Sequence, residues 1–287
     1  MSRQRLKIKV GKQPDQNARP IIIVGAGHMG TAFARGLAAA GLGNRLALID
    51  PALSPTAANA FRKMGAFVAK NARAIDGTNP QALILAVKPQ LIASIAPEYT
   101  GAAKNALVIS IAAGTTIQRL NHWLNRPAAL VRAMPNLPAS IGKGITAAFA
   151  ASTITPAQKK LAEKLLKAVG DLIWLDDESQ LNAVTAVSGS GPAYAFLLTE
   201  SLAVAAQRMG LSPTVAQVLA RKTIEGAGAL LSASKIEPVS LRKSVTSPGG
   251  TTEAALNVLM NESKFERLIG DAVEAATVRA TELARIE

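Results

Sequence analysis

The sequence contains no cysteine and only two histidines among its 287 residues. Without cysteine the chain has no disulfide, no thiolate zinc site and no cysteine nucleophile, and this composition suits a reducing cytoplasm. With two histidines, a metal site built from several imidazoles is not expected. Aromatic residues make up only 3% of the chain, so we expect alanine, valine, isoleucine and leucine to form the core.

Long apolar segments are also missing from the sequence. No run of about 18 apolar residues is present, because Pro192 and Glu200 interrupt the nearest candidate at 183–206, and we expect no membrane-spanning helix. Residues 1–19 are basic and polar, without the apolar stretch of a secretory signal, and we interpret them as a flexible extension. The sequence therefore predicts a cytoplasmic protein with no membrane partner.

The positive charge is unevenly distributed along the chain. Of the net charge of +13, residues 1–19 carry +5 and residues 20–176 carry +10, whereas residues 177–287 carry −2. Such asymmetry indicates an anionic partner for the first half, either a phosphate-bearing cofactor or nucleic acid, although basic residues spread over solvated surfaces explain it equally well. No zinc-finger spacing or RNP-like aromatic motif is present, so no nucleic-acid partner is predicted.

Short apolar runs alternate with helical patterns through the first half of the chain. Runs such as 21–24 and 46–49 predict buried strands, and their alternation with helices predicts an α/β domain with a doubly wound parallel sheet of the Rossmann type. After about Asp177 helical patterns dominate. We therefore expect a dinucleotide-binding domain over residues 20–176 and an all-α domain over residues 177–287.

A glycine-rich motif, GAGHMG at Gly25–Gly30, follows the first predicted strand and opens a helix. That context indicates a dinucleotide-binding loop. Gly25 permits the tight turn, Gly27 lets a pyrophosphate approach the backbone, and Gly30 lets helix and strand pack closely, while free N–H groups and the helix dipole bind the anion. The alternative is a glycine-rich turn that binds nothing.

Polar residues stand at the ends of three other predicted strands. Asp50 follows the second strand, where an acid bonds the adenosine ribose hydroxyls and repels a 2′-phosphate. This favours NADH slightly, and Arg62 and Lys63 are near enough in sequence to leave NADPH open. Lys88 is a candidate contact for a cofactor phosphate or a substrate carboxylate, with a solvated loop lysine as the alternative, and Asn136 is a candidate on the same grounds.

The second half contains two further motifs of small residues. Ser188–Pro192 precedes a long helix and is either a close-approach site or a tight packing turn. Ser247–Thr252 is a turn that leads into a helix, so Gly249, Gly250, Thr251 and Thr252 present N–H donors at a helix N-terminus, which suits a carboxylate. The alternative is that Thr251 or Thr252 only caps the helix.

Together these motifs resemble the pyrroline-5-carboxylate reductase family, in order and spacing, from Ile21 to Leu283. The resemblance rests on GAGHMG, AVKP (86–89), SIAAG (110–114) and RAMPN (132–136), and most specifically on VSGSGPAY (187–194) and SPGGTT (247–252). It implies NADPH- or NADH-dependent reduction of 1-pyrroline-5-carboxylate to L-proline, the last step of proline biosynthesis. It also implies a Rossmann domain and a helical dimerisation domain, with each active site completed by the neighbouring subunit of a homodimer or of a larger oligomer of dimers.

The resemblance also implies a set of site residues. Thr252 matches the family threonine that hydrogen-bonds the ring nitrogen, and Thr252 and Lys88 are the predicted catalytic residues. The predicted substrate-binding residues are Gly249, Gly250, Thr251, Thr252 and Ser190. The predicted cofactor-binding residues are Gly25, Ala26, Gly27, His28, Met29, Gly30, Asp50, Ala86, Val87, Lys88, Ala112 and Asn136. The chain departs from the family where His28 replaces a common asparagine and where Asp50 stands in an expected 2′-phosphate site.

The chain lacks the proton donor that a dehydrogenase related to the β-hydroxyacid dehydrogenases would need. That class uses a lysine on the long helix after a glycine-rich turn, but no lysine or arginine lies between Lys167 and Arg208. A cyclic imine can enter already protonated, so its reduction needs hydride alignment and a hydrogen bond rather than a strong acid. A related dehydrogenase and a non-catalytic dinucleotide-binding protein remain the alternatives.

Overall fold

A computed structural model describes residues 19–127 and 129–285, and most of the predicted basic extension, residues 1–18, lies outside the described residues. The chain forms two compact units. Of the described residues, unit 1 contains those up to Gly189 and those from Thr277 onward, and unit 2 is Ser190–Ala276. Helix α12 (Lys264–Arg285) therefore begins in unit 2 and ends in unit 1.

Unit 1 is built on one mixed sheet, which has eight strands within the described ranges. The strand order is β3-β2-β1-β4-β5-β6-β7-β8, and neighbouring strands are parallel except β6 and β7. The strands are β1 (Ile21–Val24), β2 (Leu46–Ile49), β3 (Phe67–Ala69), β4 (Ala82–Leu85), β5 (Leu107–Ser110), β6 (Ala129–Met134), β7 (Gly144–Ala150) and β8 (Gly170–Trp174). The expected doubly wound parallel sheet is confirmed except at β7, which pairs antiparallel with β6 and which the sequence analysis did not predict.

The central strands β1, β2 and β4 are buried along their whole length, which explains their continuous apolar sequences. Along β1, Ile21 and Ile23 belong to one core cluster and Ile22 and Val24 to the other, because successive side chains of a strand point to opposite faces. Phe33 of the first helix packs in the former cluster. The two clusters cover the two faces of the sheet and hold its carboxyl-terminal edge, where the loops begin, in a fixed register.

Helices connect the strands of unit 1 and cover the sheet. They are α1 (His28–Leu37), α2 (Pro55–Lys63), α3 (Pro89–Ile95), α4 (Thr100–Ala103), α5 (Ile117–Trp123), α6 (Pro156–Leu166) and α7 (Gln180–Val184). The sequence Thr155-Pro156-Ala157-Gln158 predicts an N-cap, a proline at the first helical position and a capping-box glutamine. The structure confirms this start of α6: the Thr155 hydroxyl accepts the Gln158 N–H, and the Gln158 side chain accepts the Thr155 N–H.

Unit 2 is entirely helical, as expected for the second half. In addition to most of α12 it contains α8 (Gly191–Arg208), α9 (Pro213–Ala233), α10 (Pro238–Ser244) and α11 (Thr251–Met260). Helices α8 and α9 pack against each other, and the Ser212 side chain caps α9 as its Ser-Pro sequence predicts. Large apolar side chains of this unit, including Phe196, Leu197 and Val258, are exposed. Among the described residues, the helices are all too short or too polar to cross a membrane.

Candidate active site

The glycine-rich motif forms a tight turn between β1 and α1, and its first and last glycines are sterically required. Gly25 adopts φ +93°, and a Cβ there would lie 2.8 Å from the carbonyl oxygen of Ala86. A Cβ on Gly30 would overlap the carbonyl oxygen of Gly25. These contacts bring the loop directly against the residue that follows β4, so only glycine permits this approach.

The middle of the loop is open toward solvent. Gly27 is exposed, and a Cβ built on it has no neighbour within 4 Å. It is the N-cap of α1 and has no side chain to accept a helical N–H. The first helical hydrogen bond runs from the Thr31 N–H to the Gly27 carbonyl, at 2.9 Å. The N–H groups of His28, Met29 and Gly30, which precede Thr31, therefore lack helical acceptors. This arrangement fits a pyrophosphate bound at the start of α1.

Asp50 is placed beside this loop by the pairing of β2 with β1. Its Oδ2 accepts the Ala26 N–H at 2.6 Å, and its Oδ1 accepts the Ala52 N–H at 2.7 Å. The Gly25 N–H donates to the Ile49 carbonyl at 2.9 Å. The carboxylate for which the sequence predicts a ribose contact therefore accepts a bond from the backbone of the glycine-rich loop, and the Ala26 N–H is already occupied.

A cavity of about 430 Å³ adjoins the loop and contains residues that sequence reasoning missed. Ala26, Gly27 and His28 line it, as do Thr31 and Arg35 of α1 and Ser140 of the turn after β6. Residues 28, 31 and 35 share one face of α1 because they are three and four positions apart. That spacing was available in the sequence, whereas the approach of Ser140 depends on the tertiary fold.

The remaining predicted cofactor residues lie at neighbouring strand ends of the sheet. The Ala86 N–H donates to the Val24 carbonyl at 2.8 Å, which joins the ends of β4 and β1. Val87 follows Ala86, and Lys88 is exposed at the N-cap position of α3. Ala112 lies in the loop that follows β5. The structure therefore brings the residues after β1, β2, β4 and β5 to one edge of the sheet.

Asn136, which follows the end of β6, makes a hydrogen bond that stabilises the fold. Its Oδ1 accepts the Ile145 N–H at 3.0 Å, which joins the end of β6 to the start of β7. The sequence analysis missed β7 and so could not predict this partner.

The loop that contains Ala112 is held from two sides within unit 1. Gly114 has φ +72°, and a Cβ there would lie 3.2 Å from the backbone and Cβ of Leu283, in the last turn of α12. Below the loop, Glu178 Oε1 accepts the Ile117 N–H at 2.7 Å and pairs with Arg132 at 3.1 Å. Burial lowers the pKa of the Arg132 guanidinium from its ordinary value, and the Glu178 carboxylate opposes that shift. A larger cavity of about 890 Å³ along α5 includes Glu178 but none of the predicted site residues.

The motif predicted to bind the substrate, Ser247–Thr252, forms a closed turn in unit 2. Gly249 has φ +70°, which glycine adopts without strain. The Gly250 N–H donates to the Ser247 carbonyl at 3.0 Å. The N-cap of α11 is Gly250 and not Thr251 or Thr252, so neither threonine caps the helix. The N–H groups of Thr251 and Thr252 open α11 and lack helical acceptors, which suits a carboxylate.

Ser190, the remaining predicted substrate-binding residue, stands at the N-cap of α8. Its carbonyl accepts the Ala193 N–H at 2.9 Å. Ser190 belongs to unit 2, as does the turn at Ser247–Thr252, and the predicted cofactor residues belong to unit 1.

Comparison with known proteins gives two family matches. Residues 178–283 match the model described as pyrroline-5-carboxylate reductase dimerisation, and residues 20–114 match the model described as NADP oxidoreductase, coenzyme F420-dependent. A pyrroline-5-carboxylate reductase from Pseudomonas aeruginosa is 40% identical over 266 residues, which cover 92% of this chain and 96% of that protein.

Solved structures give the same result for the whole chain. A pyrroline-5-carboxylate reductase from Coxiella burnetii superposes with a TM-score of 0.84 at 37% identity and covers 93% of this chain and 99% of its own. The pyrroline carboxylate reductase of Plasmodium falciparum, solved with NADP bound, superposes with a TM-score of 0.79 at 26% identity and covers 94% and 99%. The likeness therefore extends over both units.

Proposed function

The chain belongs to the pyrroline-5-carboxylate reductase family, and on that premise we propose how its own residues reduce 1-pyrroline-5-carboxylate to L-proline with NAD(P)H. Unit 1 binds the cofactor through the loop at Gly25–Gly30 and the adjoining strand ends. Unit 2 binds the substrate through the turn at Ser247–Thr252. The observation that carries this proposal is the turn itself, whose N–H groups at Thr251 and Thr252 lack helical acceptors and match the carboxylate of an imino acid.

The cofactor supplies the hydride that is added to the carbon of the C=N bond. The residues of this chain orient the two reactants and stabilise the charges of the substrate. The α11 N-terminus receives the carboxylate, and the Thr252 hydroxyl hydrogen-bonds the ring nitrogen. Ser190 provides a further contact to the substrate. The ammonium group of Lys88, at the end of β4, pairs with an anionic group of the cofactor or the substrate.

The reaction needs no strong protein acid when the imine enters as its protonated form. Thr252 then has to hold the nitrogen in place, which a hydroxyl does without a perturbed pKa. This requirement agrees with the sequence of α8, which lacks lysine and has its one arginine at its last residue, Arg208.

Self-association follows from the family match over residues 178–283. We assign the exposed apolar side chains of unit 2, such as Phe196, Leu197 and Val258, to the surface that a homodimer buries. The proposed boundary between cofactor and dimerisation domains lies near residue 177, the proposed location is the cytoplasm, and neither nucleic acid nor membrane is a proposed partner.

Initial rates of NADH and NADPH oxidation with 1-pyrroline-5-carboxylate test this function. Each cofactor is varied over a concentration series, and the protein alone and the imine alone serve as controls. We expect imine-dependent oxidation of at least one cofactor. If folded protein binds a cofactor and yet does not turn over, the substrate is another imine or a carbonyl compound.

A further inference from the structure

The turn at Ser247–Thr252 is stabilised by a side chain to which neither the sequence analysis nor the family comparison assigns a role. Oε2 of Glu253 accepts the N–H of Gly249 at 2.7 Å. Glu253 follows Thr252 directly in the chain and is partly buried. The bond therefore spans Thr251 and Thr252, the residues whose N–H groups are proposed to receive the substrate carboxylate.

This bond differs from an ordinary capping interaction. In a capping box the glutamate at the third helical position accepts the N–H of the N-cap residue, which here is Gly250. Instead, the Gly250 N–H donates to the Ser247 carbonyl at 3.0 Å, and Glu253 bonds Gly249, one residue earlier. Glu253 thus braces the turn that precedes the helix.

The residue that Glu253 holds is a glycine with no close neighbours around its Cα. Gly249 has φ +70°, and a Cβ built on it meets no neighbour within 4 Å, so packing does not fix its position. Glycine also has the most backbone freedom to lose. A bond between a carboxylate and a backbone N–H is stronger than one between neutral groups. Glu253 therefore supplies the constraint that neighbouring side chains do not.

We propose that Glu253 is a positioning residue for the imino-acid substrate: by accepting the Gly249 N–H it holds the Ser247–Gly250 turn in the shape that presents the N–H groups of Thr251 and Thr252 to the substrate carboxylate. This inference rests on the proposed function of that turn. It also implies that the Gly249 N–H is engaged inside the turn, so the donors offered to the substrate are those that open α11.

Steady-state kinetics of two variants test the proposal. Glu253→Ala removes the acceptor, whereas Glu253→Gln keeps an amide oxygen in its place and removes the charge. The control is Glu225→Ala, since Glu225 is an exposed glutamate of unit 2 that pairs with Lys222. For Glu253→Ala we expect the KM for 1-pyrroline-5-carboxylate to rise about tenfold because the loop loses its preorganisation. The kcat at saturating imine and the KM for NADPH should change less than about twofold, as expected when only binding common to ground and transition states is lost.

The glutamine variant separates positioning from charge. We expect Glu253→Gln to retain a KM within about threefold of the wild type, because the amide oxygen still accepts an N–H. If the KM for 1-pyrroline-5-carboxylate rises as much in Glu253→Gln as in Glu253→Ala, the proposal is overturned, since the charge of Glu253 and not its hydrogen bond would then matter. An unchanged KM in Glu253→Ala would also overturn it, as would an equal rise in the KM for NADPH, which would indicate general disruption.

Binding of L-proline, measured by calorimetry on the same proteins, distinguishes the failure of this inference from the failure of the proposed function. If the wild type turns over and binds proline but Glu253→Ala binds it equally well, only the positioning role is wrong. If the wild type neither turns over the imine nor binds proline, the function assigned to the turn is wrong, and the inference falls with it.

Discussion

The Asp50 carboxylate accepts the backbone N–H of Ala26 at 2.6 Å and so joins the end of β2 to the glycine-rich loop after β1. Its second oxygen accepts the Ala52 N–H at 2.7 Å. Both carboxylate oxygens are therefore engaged by backbone before any ribose is considered. The position that sequence reasoning assigned to cofactor discrimination also supports the shape of the loop.

We predict that Asp50→Ala raises the KM for NADH and the KM for NADPH by similar factors of about 5 to 10, because loss of a charge-assisted bond costs about 1–1.5 kcal/mol for either cofactor. Parallel cofactor titrations of the wild type and the variant measure both values. If kcat/KM for NADPH relative to NADH instead rises tenfold or more, discrimination against the 2′-phosphate is the main role of Asp50.

Thr252→Ala should lower turnover by one to two orders of magnitude, which corresponds to about 1.4–2.7 kcal/mol of transition-state stabilisation. The reason is that the ring nitrogen loses its proposed hydrogen-bond partner. Thr252→Ser retains a hydroxyl and should recover most of the rate. Rates measured at saturating imine and cofactor decide the matter, and an alanine variant with wild-type kinetics would remove Thr252 from the mechanism.

Glu178→Ala should destabilise unit 1 by about 3 kcal/mol, because it leaves a buried guanidinium without its partner. Arg132 is only 5% exposed, and Glu178 also accepts the Ile117 N–H that starts α5. The midpoint of urea unfolding, followed by the fluorescence of Trp123 and Trp174, measures the loss. The matched control is Glu225→Ala, which breaks an exposed pair and should leave the midpoint almost unchanged. Equal effects of the two variants would contradict the account.

Tyr99 should make the protein sensitive to alkaline pH. Burial raises the pKa of its hydroxyl above the ordinary value of 10.0, and the carboxylates of Glu98 and Asp50 add to the shift. Above about pH 10 the unfolded state loses this proton and the folded state keeps it, so stability present at lower pH is lost as pH rises.

The comparison variant for this prediction is Tyr99→Phe. The difference in unfolding free energy between wild type and variant should be constant below about pH 9 and should fall by about 1.4 kcal/mol per pH unit above pH 10. Urea unfolding between pH 8 and pH 11 provides the data. A difference that does not depend on pH would show that Tyr99 is not protected from ionisation.

The sequence predicts the parallel strands and the long helices well because they have strong local patterns, whereas short helices such as α4 and α10 were not predicted. Strand β1 is wholly apolar, and α6 begins with a Thr-Pro-x-Gln cap that the structure confirms. Strand β7 was missed because its sequence, GITAAFA, is rich in alanine and has no helical or alternating signature strong enough to separate it from a loop. Its pairing with β6 supplies the hydrogen bonds that its local propensity does not.

The site residues also divide into those that a local sequence pattern predicts and those that depend on the tertiary fold. The glycines of both motifs are visible in the sequence because glycine is needed where the chain turns tightly. Glu253 was not singled out from the sequence, because its bond to Gly249 depends on the left-handed conformation of Gly249, outside the helix. The pairing of Arg132 with Glu178 was not predictable, because it joins positions 46 residues apart and depends on the packing of β6 against the start of α7.

Transfer of a labelled hydride tests the central claim most directly. NADPH with deuterium at both C4 positions is incubated with 1-pyrroline-5-carboxylate and the protein, and NADH labelled in the same way is run in parallel. The product is analysed by mass spectrometry and NMR. We predict L-proline with one deuterium on the ring carbon that was double-bonded to nitrogen, formed in equal amount to the cofactor oxidised. Cofactor oxidation without labelled proline, or no proline from folded protein that binds the cofactor, would contradict the account.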